Sequence, residues 1–347
     1  LAIGRLDVCR LSSWLYIPGT LLLVVGMAMG NALIMLLGGI AVVTAMIAFA
    51  LIVGKILYRT VALKSTVRHG WAALACLALL AVAGLVLVVD FEHGFLGSPG
   101  WPGHSDLATG HAILAGYGFM GLLALGFSYI LVPMFALSSA PDERPSRLSF
   151  GLVVVALAVA ALGALAGSAL TMTLAAVIGL TGVAVYLSLM LKALREGMKK
   201  RLGLSFVMVR GSWFALPLSI VLGGLVAAGI DGFNLPALFG FILVFGWLLT
   251  FLTGILQRIL PFLVSMHAHN LGQQAPRLSE MGNQNITLRL HAACHAAALV
   301  MVSVGIVGDE GGLILAGGLT GAVGAAAFLW FTLGISKLVI TFHAKDR

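Results

Sequence analysis

Gly110-His111-Ala-Ile-Leu-Ala115-Gly-Tyr117-Gly118-Phe-Met-Gly121-Leu-Leu-Ala124-Leu-Gly126-Phe-Ser-Tyr129-Ile-Leu-Val-Pro133-Met-Phe135-Ala-Leu137 is the stretch that decides how the chain folds. It contains no carboxylate, lysine or arginine, and its one imidazole stands near its start. At about 1.5 Å per residue such a run is long enough to cross a hydrocarbon core of about 30 Å. Small residues recur along it (Gly110, Ala115, Gly118, Gly121, Ala124, Gly126), which lets a second helix or a flat cofactor come close. Histidine within lipid is costly unless it has a partner, so His111 is the first candidate for function.

The composition extends this reading to the whole chain. With 61% hydrophobic and 9% charged residues, it falls far from soluble domains, in which about a quarter of residues are charged. The formal net charge of +8 suits cytoplasmic loops of a membrane protein better than a nucleic-acid surface. Cys9, Cys76 and Cys294 are the only cysteines, and no disulfide framework is expected from them. The first apolar run leads straight into a second without an Ala-x-Ala site, so no cleaved signal peptide is expected.

Ten apolar runs have the length of membrane spans: Trp14–Met29, Ala32–Ile56, Trp71–Val89, Leu107–Leu137, Phe150–Gly167, Met172–Leu194, Met208–Ile230, Leu235–Val264, Ile286–Val307 and Leu313–Ser336. The expected fold is an all-α, polytopic transmembrane helix bundle forming one integral membrane domain over residues 1–347. Its first two spans form a hairpin about Gly30-Asn31. With the N-terminus in the cytoplasm, all 20 Lys and Arg fall inside or at inner span ends, from Arg5 and Arg10 to Lys345 and Arg347. Asp90, Glu92, Asp106, Asp231, Asp309 and Glu310 fall outside. This agreement with the positive-inside rule predicts both termini cytoplasmic, in a plasma (bacterial-type inner) membrane. The longest polar stretches are an outer loop, Asp90–Asp106, and an inner one, His267–Asn285. The cluster Lys199-Lys200-Arg201 is topogenic, with anionic lipid as a secondary contact.

A weak parallel internal repeat accompanies the spans. Gly126-Phe-Ser-Tyr-Ile-Leu-Val-Pro133 and Gly254-Ile-Leu-Gln-Arg-Ile-Leu-Pro261 share a glycine followed by proline, with Gly118 and Gly246 preceding them at equal spacing. In this alignment Phe239 stands where His111 does, so one copy alone carries the imidazole.

Several side chains have the chemistry of ligands. His111 can bind haem iron or another metal, or relay a proton; its bland alternative is a hydrogen bond to a neighbouring helix. His291-Ala-Ala-Cys294-His295 places two imidazoles on one helix face, as ligands or as interface and interhelical groups. By rise per residue, His295 lies about 9 Å from the inner surface and His111 about 6–8 Å from the outer one, a vertical gap of about 14 Å. One haem held between them is therefore disfavoured. His93 and His104 of the outer loop, or the thioethers of Met29, Met172 or Met301, are the alternative partners of His111. His69 accompanies His291 and His295 toward an inner site, which would make two haems at two depths. His93 and His104 with the loop carboxylates can also bind a divalent metal or a quinol, or simply be solvated. Met266-His267-Ala-His269, in the inner loop, can chelate a metal but reads better as an exposed polar linker.

The segment from His111 through Gly126-Phe-Ser-Tyr-Ile-Leu-Val-Pro133-Met-Phe135 resembles the second membrane helix of the catalytic subunit of haem-copper oxidases. It is also similar to the nitric-oxide-response haem membrane proteins. The resemblance covers His111–Phe135 well and Gly246–Leu263 weakly. It implies haem b, one copy or two, with His111 as axial ligand, Gly110, Gly118 and Gly121 giving the macrocycle room, and Tyr117 or Tyr129 donating a hydrogen bond. The chain has no His-Pro-Glu-x-x-Tyr copper site, and its His267-Ala-His269 is read as part of an inner loop rather than as the late-helix His-x-His of those oxidases. Copper and oxygen reduction are therefore not expected.

The resulting expectation is an electron-transfer subunit without chemistry of its own. It would work within an oxidoreductase complex, with other membrane or periplasmic redox subunits, a cytochrome c or a quinone as partners. Two alternatives stand beside it. A small-solute or metal transporter is weakened by span centres almost free of acids and amides. A structural membrane subunit without cofactor would use the 44 glycines for helix packing alone.

Overall fold

In lipid a chain must satisfy its backbone N–H and C=O groups within each segment, which leaves helices as the solution for runs as apolar as these. The computed structural model describes residues 3–270, 281 and 286–345, and no strand occurs among them. The helices are α1 (Ile3–Met29), α2 (Ala32–Arg59), α3 (Lys64–His93), α4 (His104–Ile113), α5 (Leu122–Ala136), α6 (Glu143–Leu165) and α7 (Ala169–Glu196). They continue as α8 (Leu204–Ala227), α9 (Leu235–Phe241), α10 (Thr250–Asn270), α11 (Ile286–Gly308) and α12 (Gly311–Lys345). Two π-helical segments, π1 (Leu114–Gly121) and π2 (Ile242–Leu249), join α4 to α5 and α9 to α10. Among the described residues ten helices, counting each joined set as one, are long and apolar enough to cross a membrane.

Several helices run past the apolar runs that mark them. α3 begins at Lys64 rather than Trp71, and α10 continues to Asn270, so His267 and His269 end a helix instead of opening a loop. Helical hydrogen bonding is as favourable in the polar boundary as in the core, and hydropathy does not register it. Arg277 and most of the inner stretch after Asn270 lie outside the described residues.

Two compact units make up the chain, Leu1–Gly197 and Met198–Arg347. Unit 1 opens with the expected hairpin of α1 and α2. Gly30 takes the left-handed conformation (φ 63°) and Asn31 caps α2 by accepting the N–H of Ile34 at 3.1 Å. α2 packs on α3, and α3 packs along the whole α4–π1–α5 span. α6 and α7 form a second hairpin against α4 and α5. Leu122, Val132, Met190 and Tyr186 fill its interior. At one end the loop 94–103 is pinned by Asp90, which accepts the N–H of Leu96 and the Nδ1 of His104, each at 2.6 Å. At the other end Arg68 pairs with Glu143 at 2.7 Å and Lys192 with Asp142 at 3.0 Å.

Among the described residues, unit 2 has four spans. α8 packs along π2 and α10, and α11 with α12 forms a hairpin that turns at Asp309. Val264, Leu288, Phe331 and Ile335 belong to its core.

The glycines of the opening stretch are explained by helix approach. A Cβ on Gly126 would stand 2.6 Å from the Cβ of His69, and Thr66 donates to the Gly126 carbonyl across the same gap at 2.8 Å. Gly126→Ala is expected to force α3 and α5 apart at a cost of about 1–3 kcal/mol. Gly151→Ala on α6, with no atom within 4 Å of its new Cβ, is expected to change stability by less than about 0.5 kcal/mol. Thermal unfolding in detergent separates the two, and equal midpoints would remove the packing role of Gly126.

Candidate functional site

His111 sits in the last turn of α4, immediately before π1, half-buried against α3. Its Nδ1 lies 2.9 Å from the carbonyl oxygen of Leu80. A carbonyl only accepts, so Nδ1 carries the proton and Nε2 is left as a bare lone pair. Gly84, one turn on from Leu80, makes this possible: a Cβ there would stand 3.1 Å from Cε1 of the ring. A glycine-floored recess on α3 thus holds the imidazole in one tautomer and one orientation. That is the arrangement by which a protein fixes and strengthens a metal-binding imidazole.

The residues of unit 1 considered as partners of His111 are placed elsewhere, and Met301 belongs to unit 2. His104 is bound to Asp90 two helical turns nearer the 94–103 loop, and His93 bonds its own helix through the Val89 carbonyl at 3.0 Å. Met172 packs on Gly163 and Met301 on Gly317, while Met29 is exposed at the end of α1. Gly110 faces Ala161 and Ala164 of α6, and the room at Gly118 is taken by Cys76 of α3. Tyr129 is 18 residues beyond His111 in the same span, roughly 25 Å along the axis. Its ring lies 5.3 Å from that of His69, centroid to centroid.

That second cluster is one the sequence reading passed over. His69 is 1% exposed, its Nδ1–H donating to Ser65 O at 2.7 Å, and it is enclosed by Tyr129 and Phe150. The Tyr129 hydroxyl is buried beside Ser146 and Ser149 without closing a hydrogen bond of good geometry. The available signal was Gly126, whose spacing from Pro133 was read as a repeat rather than as the gap that admits His69.

In unit 2 the rings of His291 and His295 lie 5.7 Å apart and 29° from parallel. Stacked face to face, they do not converge on one point. His291 donates Nδ1–H to Gly324 O at 3.0 Å, and its Nε2 is buried with no hydrogen-bond partner. His295 Nε2 lies 2.6 Å from the Thr250 hydroxyl, which lies 2.7 Å from the Phe245 carbonyl. The hydroxyl has one proton and gives it to the carbonyl, so His295 is the donor to Thr250. This clamp closes on the carbonyl five residues back, which the wide turn of π2 leaves accessible. Among the described residues no three His, Cys, Asp or Glu side chains gather as a metal group.

Haem b, which the resemblance implies, can be tested against these groups. The donor at His111 fits a single axial bond: an oriented ring, a bare Nε2 and a recess that any Cβ at Gly84 would fill. Among the described residues of unit 1, none of the partners considered above stands beside it as a second ligand. The chain matches no protein-family model and no curated protein.

Thr250→Val removes the acceptor of the His295 proton and the bond to Phe245. It is expected to destabilise unit 2 by about 1 kcal/mol, and Thr250→Ser is expected to restore it. Denaturation of both variants checks this, and a stable Thr250→Val would show that His295 has another acceptor.

Proposed function

We propose that this protein is a haem-b-binding integral membrane protein that passes single electrons as a subunit of a respiratory or redox complex, with His111 as axial ligand. The observation that carries the reading is the His111–Leu80 hydrogen bond over Gly84, which leaves Nε2 bare in a helix of a membrane span. When bound, haem b supplies a one-electron couple at iron, its potential set by axial ligand, hydrogen bonding and burial. The Leu80 carbonyl draws on the Nδ1 proton and makes Nε2 a stronger donor. The helix that carries the ring packs against α3 and α6, and burial of that kind would help to set the potential of a bound haem. The copper-site motif is missing from the sequence, so the proposal contains no oxygen chemistry.

The setting belongs to the same proposal. Basic residues at one set of span ends support an inside position for both termini in a plasma membrane, with loop 94–103 outside. From that side a periplasmic subunit or cytochrome c could reach the His111 end of unit 1, and a quinone could reach it from the bilayer. A cofactor-free structural subunit is the second reading. It is favoured by Gly118 and Gly126, whose gaps are filled by Cys76 and His69 rather than open to a ligand.

The expected outcome is a Soret band and a reduced-minus-oxidised haem spectrum in the purified protein, lost in His111→Ala and kept in His295→Ala. A folded preparation without a Soret band would establish the second reading instead. In a variant freed of its native cysteines, Ser98→Cys is expected to react with an impermeant maleimide added outside whole cells, and Ser138→Cys only after lysis. The reverse pattern would invert the topology.

A further inference from the structure

The two units contain the same interhelical contacts at a constant displacement in sequence. On the pair α3 and α8 the displacement is 139 residues, as from Gly84 to Gly223 or Cys76 to Ala215. On the pair α4–π1–α5 and α9–π2–α10 it is 128, and π1 (114–121) maps onto π2 (242–249) without remainder. On the hairpins α6–α7 and α11–α12 it is 142.

Within each unit, a Cβ on Gly118 would meet Cys76 Cβ at 3.0 Å and one on Gly246 would meet Ala215 Cβ at 3.4 Å. A Cβ on Gly126 would meet His69 Cβ at 2.6 Å, and one on Gly254 would meet Met208 Cβ at 3.1 Å. At the hairpins, Gly163 faces the backbone nitrogen of Met172 at 3.1 Å and Gly305 that of Ile314 at 3.0 Å. Ser149 Oγ donates to Gly182 O at 2.8 Å, and His291 Nδ1 to Gly324 O at 3.0 Å. General helix packing explains close approach but not agreement of register at both partners of every pair. The pair that matters for function belongs to this set. Gly84 is the floor under His111, with Cε1 3.1 Å from its missing Cβ; Gly223 is the floor under Phe239, with Cε2 at 3.0 Å.

We infer that the spans 64–196 and 204–345 are two copies of one four-helix module, and that Phe239 plugs in the second copy the cradle that His111 occupies in the first. Each helix and its counterpart are four spans apart along the chain, an even number, so in a membrane both would cross in the same direction. Phenylalanine fills the recess over Gly223 with a ring of similar size. It has neither the proton to give the Ser219 carbonyl, which is the counterpart of Leu80 O, nor a lone pair to give a metal. The cradle is therefore closed chemically and kept sterically. With an imidazole at 239 it would take the ligand class proposed for His111, an iron tetrapyrrole; that part rests on the proposed function, whereas the equivalence of the cradles does not.

The test compares His111→Phe, His111→Ala, Phe239→His and the double variant His111→Phe/Phe239→His. Because unit 2 already seats phenylalanine over its glycine, His111→Phe prepared without haem is expected to keep the melting midpoint of the haem-free wild type, while haem-free His111→Ala lowers it. An equal fall in both would overturn the equivalence. In Phe239→His prepared without haem, nitrogen NMR of labelled histidine is expected to add one Nδ1-protonated imidazole signal like that lost in His111→Phe. A ring at 239 that is Nε2-protonated or titrates freely would overturn it too. Haem content then tests the ligand class. His111→Phe is expected to lose one haem per chain and the double variant to regain it. Loss without regain overturns the second cradle as a haem site. Full haem in His111→Phe instead overturns His111 as the ligand, and the midpoints and the NMR signal still decide the equivalence.

Discussion

Helix backbones in this protein approach one another closely, and the rest of the structure depends on how that approach is permitted. Lipid offers no hydrophobic gain for pressing helices together, so the attraction comes from dispersion between surfaces in contact and from a few interhelical hydrogen bonds. Both need short separations, and a Cβ in the wrong place abolishes them. Gly38 against Leu23, Gly126 against His69 and Gly254 against Met208 are such points. At Gly126 the gap serves two purposes at once, admitting a buried imidazole and bringing the Thr66 hydroxyl onto a carbonyl of the neighbouring helix.

The same device produces the chemistry at His111. An imidazole in a membrane span can be tolerated by giving its proton to a backbone carbonyl, and Gly84 lets the ring reach Leu80 O. The packing requirement and the ligand-ready tautomer are then one arrangement. His291, with its Nδ1–H on Gly324 O, repeats the logic at another level of the other unit. His295 reverses it by spending Nε2–H on Thr250. Of these three imidazoles, two keep Nε2 free and the third spends it, and the difference comes from which neighbouring oxygen each one meets.

Much of the fold was legible from residue order. Length and apolarity of the runs fix the number of spans, because the bilayer has one thickness, and Gly30-Asn31 marks the first hairpin. The equal spacing of Gly118, Gly126 and Pro133 and of Gly246, Gly254 and Pro261 was visible in residue order, and the repeat inferred from it is a proposal that the equal placing of π1 and π2 supports. The π turns themselves were not legible. A π-helix differs from an α-helix by one residue in a local turn, with no change in hydropathy. The candidate site was legible only in part. His111 stood out as an ionisable group in an apolar run, whereas His69, two residues before the start of the run Trp71–Val89, was grouped with His291 and His295 toward an inner site and is 1% exposed against Tyr129 and Phe150. Tyr129 was grouped with His111 because they share a segment, and helical rise separates them by most of the membrane thickness.

By itself the sequence determined the class of protein and the spans, through a solvent that accepts only long apolar helices with their backbones satisfied. It also determined which residues have ligand chemistry, since that is a property of the side chain. The tertiary structure alone decided which of those residues have a nitrogen left to offer. A tautomer is set by the nearest oxygen in three dimensions, and that oxygen belongs, for His111, to Leu80 on another helix, admitted by the missing Cβ of Gly84.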